Sequence, residues 1–130
     1  MTGEKDLRTL LASMSPQLNE GEYVFALAPQ GEVPAGTRPV ATVREEEGLT
    51  LVLPRADADR LGLAYDYVAA WITLRVHSAL DAVGLTAAFA TALASAGLSC
   101  NVVAGYHHDH LFVPHGEAPR ALAVLADLAG

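Results

Sequence analysis

"LVLPRADADR" at residues 51–60 falls on "LFVPHGEAPR" at residues 111–120 when the chain is slid against itself. Leu51, Pro54, Ala58 and Arg60 meet identical residues at Leu111, Pro114, Ala118 and Arg120, and Leu53 meets Val113. Upstream, Val43 falls on Val103. Each segment reads as a hairpin, then a proline, then a helix. A few identities mean little in a chain rich in alanine and leucine. Matching elements in matching order point to a degenerate duplication.

Working outward, the second half is the more regular. "AAWITLRVH" (69–77) reads as a strand, and residues 81–96 as a helix with Leu85, Phe89, Leu93 and Ala96 along one side, stopped by Gly97. "SCNVVAGY" (99–106) and "HLFVP" (110–114) form a hairpin, and a helix over about 117–128 carries Pro119 in its first turn and Leu122, Leu125 and Leu128 on its apolar side. The first half reads as a short helix striped by Leu7, Leu10, Leu11 and Met14 and ended by Ser15-Pro16. The strand "EYVFALA" (22–28) and a Pro/Gly loop over 29–39 come next. A hairpin of "VATVR" (40–44) and "LTLVL" (49–53) follows, then a helix at 57–63 with Asp57 as its cap and Gly62 near its end.

The second half is thus β-α-β-β-α, five of the six elements of a ferredoxin-like βαββαβ unit. The first half is the same unit with its first helix replaced by loop 29–39. The C-terminal unit lacks a last strand, so a strand from the N-terminal half must fill that edge. The expected fold is α+β: two interlocked units, 1–66 and 67–130, sharing an antiparallel sheet with helices mainly on one face.

Composition bounds the function. In 130 residues, 52% hydrophobic content with 18% charged residues describes a globular chain. A net charge of -7 with scattered acids leaves no basic face for nucleic acid or anionic membrane. Glu45–Glu47, Asp57, Asp59 and Asp66 read as solvated charges. The N-terminus lacks the pattern of a secretory signal, no window approaches a membrane span, and the single Cys100 suits a reducing compartment. A cytoplasmic protein is expected.

"HSALDAVGLTAAFATALASAGLSCNVVAG" resembles an ACT domain, with its strand, Gly-containing turn, helix, "AG" and a strand opening with Asn. "SALDAVGLTAA" together with "CNVVAGYHHDHLFVP" resembles, more narrowly, a bacterial family of small, functionally uncharacterised proteins with tandem ACT-like units; the N-terminal half matches it more loosely. The resemblance implies a non-enzymatic regulatory module, paired side by side as a homodimer, binding an amino acid between neighbouring units. Its ligand contacts would be the turn Ser78, Ala79, Leu80, Asp81, Ala82, Val83 and Gly84 together with Asn101. No cofactor is implied. With no enzyme domain in the sequence, such a module would act in trans on a partner enzyme. The physics agrees: a helix N-terminus suits a carboxylate, and an asparagine amide both donates and accepts. Ser78 or Asp81 capping the helix is the plainer alternative.

"YHHDH" (106–110) poses a second question. If extended, it puts His108 and His110 on one face, where they could share a metal with His77 or His115 as third ligand. A turn within the segment would break that alternation, and the spacing matches no familiar zinc pattern. A polar hairpin is the expected reading, with His108, Asp109 or His110 free to touch a ligand or partner subunit. A metal-binding protein or metal-dependent enzyme centred on His108 and His110 is the alternative function. Cys100 sits in a strand core, where a thiol stays inert. Trp71 and Phe89 read as core.

Overall fold

The computed structural model describes residues 6–76 and 82–130. In chain order the elements are α1 (Leu7–Ser13), β1 (Ser15–Leu18), β2 (Tyr23–Ala28), β3 (Ala41–Glu45), β4 (Gly48–Pro54) and α2 (Arg55–Leu61). There follow β5 (Val68–Arg75), α3 (Leu85–Ser95), β6 (Asn101–Ala104), β7 (Asp109–Pro114), a 3₁₀ turn at His115–Glu117, and α4 (Ala118–Ala129). They form two compact units: residues up to Asn19 with Ala70–Gly130, and Glu20–Ala69.

In the first of these units the strands run β1, β5, β7, β6 across the sheet. β6 and β7 are the expected hairpin, paired from Asn101↔Phe112 to Ala104↔Asp109. Alternation along β5 sends Ala70, Ile72, Leu74 and Val76 into the core and turns Trp71 and Thr73 to the opposite face. The core is completed by Leu85, Phe89 and Leu93 of α3, Leu111 and Val113 of β7, Ala121 and Leu125 of α4, and Leu10 and Met14 at and just beyond α1.

The open edge of β5 is filled by β1, antiparallel, from Ser15↔Arg75 to Leu18↔Ile72. Asn19 extends the ladder by donating its N–H to the Trp71 carbonyl at 2.9 Å. A filling strand was expected from the pattern, but its place was not. "SPQL" contains no β-branched or aromatic residue, and Pro16 can sit in a strand only at an edge.

α3 starts later than the expected range of 81–96. It begins at Leu85 rather than 81, because Gly84 takes a positive φ of 100° and serves as the N-cap without a side-chain hydrogen bond. The capping residues expected from sequence, Ser78 and Asp81, lie outside the described residues. At its other end Gly97, with φ 80°, closes the helix: Leu98 N–H reaches the Leu93 carbonyl at 2.9 Å.

In the second unit β2 pairs antiparallel with β4 along its whole length, and β4 with β3. Tyr23 and Val24 pair on the other side with Ala69 and Val68, the opening residues of β5. Between β2 and β3 the chain forms turns and no helix, as its prolines and glycines require. The core is Val24, Ala26, Leu49, Leu51 and Leu53 under Ala58 of α2. α2 begins two residues before the expected start. Pro54 occupies the cap position without a side-chain bond, so Asp57 lies in the first turn and is not the cap. Gly62, in the left-handed region, ends the helix as expected.

The internal repeat is visible in these details. Pro54 and Pro114 end their strands with nearly the same backbone angles, φ -57°, ψ 137° and φ -54°, ψ 132°. Ala58 and Ala118 are both buried. Asp57 pairs with Arg60 at 3.2 Å, and the equivalent Glu117 pairs with Arg120 at 2.9 Å. These exposed pairs contribute little stability; their value is as a signature of common descent.

Gly48, at the turn of the β3–β4 hairpin, has φ 149°, and a Cβ there would lie 2.8 Å from the Ala28 carbonyl oxygen. Both strain and clash act at once, and the obstructing atom is backbone. Gly48→Ala is therefore expected to destabilise the protein by about 1–3 kcal/mol, measured by denaturant unfolding.

Candidate functional site

Of the proposed ligand turn, Ala82, Val83 and Gly84 are described; Ser78, Ala79, Leu80 and Asp81 are not. Val83 is 82% exposed. Gly84 presents no side chain, and Leu7 of α1 packs against it, 3.2 Å from where a Cβ would stand. Among the described residues no side chain caps α3. Beside Leu7 opens a cavity of about 620 Å³ whose lining includes Asp6, Leu7, Arg8 and Leu11.

Asn101 is exposed and opens β6. Ala82–Gly84 precede the N-terminus of α3, whereas Asn101 follows its C-terminus. The helix between them has 11 residues, about 16 Å at 1.5 Å per residue.

The histidine-rich segment is a tight turn between β6 and β7. Gly105 N–H donates to the His108 carbonyl at 2.9 Å, and β7 starts only at Asp109. His108 therefore stands in the turn, outside the strand whose alternation would align it with His110. Its Nδ1 is buried without a hydrogen-bond partner. Among the described residues no three His, Cys, Asp or Glu side chains gather as a metal site. His77, one third-ligand candidate, lies outside the described residues; His115, the other, opens the 3₁₀ turn. Burial raises the Asp109 carboxyl pKa, against the pull of His110 and His108. Burial alone pushes the Cys100 thiol up to about 11, which keeps it protonated and unreactive.

The sequence reading missed what His110 touches. Its Nδ1 receives the Trp71 Nε1–H at 3.1 Å and lies 3.3 Å from Thr73 Oγ1. Trp71 is half-buried and also stacks on Phe112, ring centroids 6.4 Å apart. Asn19 donates from Nδ2 to Thr73 Oγ1 at 2.9 Å and to the Trp71 carbonyl at 3.2 Å. The available signal was alternation in "AAWITLR", which places Trp71 and Thr73 together on the face away from the core.

In the second unit a cleft of about 480 Å³ is lined by residues including Phe25, Leu27, Glu45, Thr50, Tyr65 and Asp66. Tyr65 is tied beside it, donating to Asp59 at 2.7 Å and accepting from Arg55 Nε at 2.8 Å. Among the described residues no helix is long and apolar enough to cross a membrane.

An α+β fold of antiparallel strands and helices places the chain in the ferredoxin-like class. The ACT domain matches residues 2–70 in one form and residues 67–127 in another, and the chain belongs to this family. It is 48% identical to a Vibrio cholerae protein of unknown function, described as a possible transport protein, over 99% of this chain and 100% of that one, with a TM-score of 0.84. An Agrobacterium tumefaciens protein is 22% identical over 89% of each chain, with a TM-score of 0.67. The regulatory subunit of aspartate kinase from Thermus thermophilus has the same fold at 12% identity, covering 88% of this chain and 97% of that one, with a TM-score of 0.66. No curated protein matches the chain.

Proposed function

We propose that the protein is a non-enzymatic regulatory module that binds an amino acid between two copies of the chain and acts in trans on a partner enzyme in the cytoplasm. The observation that carries this reading is the start of α3, where Gly84 at positive φ leads into the helix and, among the described residues, no side chain caps it. The first-turn N–H groups and the partial positive charge of a helix start suit a carboxylate. To the same ligand set we assign Ser78, Ala79, Leu80 and Asp81, which precede Gly84 in the sequence. Asn101 supplies the second contact, its amide oxygen accepting from the ligand ammonium.

The ammonium and carboxylate of an amino acid lie within a few ångströms of each other. The turn and Asn101 flank a helix about 16 Å long. One ligand touches both only if they come from different copies, hence the homodimer. Of the two repeats, 1–66 and 67–130, the second carries this site, since the first has lost the corresponding helix. Membership in the ACT family supports the regulatory role, as does the likeness in fold to the regulatory subunit of an aspartate kinase.

Coupling to a partner follows if the ligand prefers one arrangement of the copies. The test is a thermal-melt screen with the twenty amino acids. One of them, at 100 times its dissociation constant, should stabilise the protein by about 2.7 kcal/mol, and Asn101→Ala should remove that shift without lowering the ligand-free melt. A flat screen, or a shift that survives Asn101→Ala, contradicts the reading.

A further inference from the structure

Two donors converge on Nδ1 of His110: the Trp71 indole N–H at 3.1 Å and the Thr73 hydroxyl at 3.3 Å. An indole N–H can only donate, so Nδ1 must offer its lone pair. The Thr73 hydroxyl accepts from Asn19 Nδ2 at 2.9 Å, which leaves its own hydrogen to point at His110. The chain of bonds runs from Asn19 through Thr73 to His110 and is met there by Trp71. It fixes the ring as the neutral tautomer with hydrogen on Nε2. A proton on Nδ1 would face the Trp71 indole N–H, which has no lone pair to accept it.

We infer that His110 is a proton-operated latch: neutral, it ties β5 to the β6–β7 hairpin through Trp71 and Thr73, and protonated, it releases that tie. β5 and β7 are neighbouring strands, and Trp71 and Phe112 stack beside the latch on the same face. The latch stands whether or not Asn101, at the other end of β6, binds a ligand.

The surroundings work in the same direction. Burial lowers the His110 pKa, and repulsion from His108 adds to it; Asp109 opposes them. Among the described residues, those two are the titratable groups whose charge acts on the ring. β5 presents Trp71 and Thr73, Asn19 comes from the end of β1, and β6 places Val103 opposite. Arg75, farther along β5, donates instead to Gln17. Because the folded pKa is depressed, the unfolded chain takes up its proton first as pH falls. The His110 contribution to stability is therefore complete above the ordinary histidine pKa of about 6.5 and is lost as pH falls through that value. Asp109, with its raised pKa, acts in the opposite sense at lower pH.

Trp71 is the only tryptophan, so one indole N–H resonance reports the latch in a ¹⁵N NMR titration from about pH 8 to about pH 5, across the histidine range. The resonance should move away from its hydrogen-bonded position with a midpoint below about 6.5. His110→Asn keeps an acceptor where Nδ1 sits but cannot titrate, so it should hold the resonance in place at every pH; His108→Asn should leave the titration present. A flat wild-type titration, or one that persists in His110→Asn, overturns the latch. The nitrogen shifts of His110 in the wild-type protein give a second reading that needs no variant. At about pH 8, above the histidine range, Nδ1 must read as a lone-pair nitrogen, and a hydrogen on Nδ1 overturns the inference.

Discussion

Removing residues 1–19 is expected to leave a chain that does not fold. β1 would no longer cover β5, leaving a row of unpaired backbone groups from Ile72 to Arg75. Leu10, fully buried, and Met14, 5% exposed, would leave the core at the same time. A buried leucine or methionine cut back to alanine costs about 2–5 kcal/mol, and here two such side chains go entirely. That loss is comparable with the whole stability of a domain, about 5–15 kcal/mol. The truncated protein should show little cooperative melting by circular dichroism and should aggregate through its open edge. Had the C-terminal repeat been an independent domain, the truncation would melt as the full chain does. Restoring the missing segment as a separate peptide of residues 1–19 should recover part of the transition, because the segment acts by occupying a site.

Phe89→Ala should produce the largest effect of any single substitution. Phe89 is fully buried at the middle of α3, one of the two largest side chains wholly enclosed by the fold. It belongs to the core built from β5, β7, α1 and α4. Truncation removes the transfer energy of the ring and leaves a hole that the surrounding leucines fill only in part, so a loss of about 3–5 kcal/mol is expected from denaturant unfolding. Phe89→Leu keeps most of the volume and should cost less than half as much. Equal losses for the two would mean that the ring's shape, rather than the filled space, sets the stability.

Much of the fold was legible because its cues are local. Gly62 and Gly97 end helices where their freedom at positive φ is needed, and prolines and glycines over 29–39 exclude a helix between β2 and β3. The repeat between 51–60 and 111–120 survives as equivalent prolines, equivalent buried alanines and equivalent ion pairs. β1 was illegible because an edge strand of "SPQL" is held by its partner and has no propensity of its own. The start of α3 was placed four residues early although its stripe opens at Leu85; Ala82 packs on the core ahead of the helix.

The site was read less completely. The turn and Asn101 come from a local motif; of its described residues, Val83 and Asn101 are exposed. The helix length between them, on which the proposed pairing of two copies rests, emerges only from the fold. The bonds joining Asn19, Thr73, Trp71 and His110 span up to 54 positions, beyond the reach of any periodicity. The same bonds engage one nitrogen of His110 with Trp71, and His108 sits in the turn, outside the alternation that would have aligned the two rings.

The most direct test of a ligand shared between copies is complementation. Val83→Glu puts a carboxylate on an 82% exposed position at the start of α3, where it should repel the ligand's own carboxylate. Asn101→Ala removes the other contact. Each variant alone should bind none of the amino acid found by melting. Mixed after dissociation and re-pairing, half the dimers contain one of each, and every such dimer has one intact site. Calorimetry on the mixture should then recover about one quarter of the wild-type sites, as random pairing in a two-fold dimer dictates. A mixture as inactive as its components would contradict the account, because it would place the turn and Asn101 in the same copy's site or outside the site altogether.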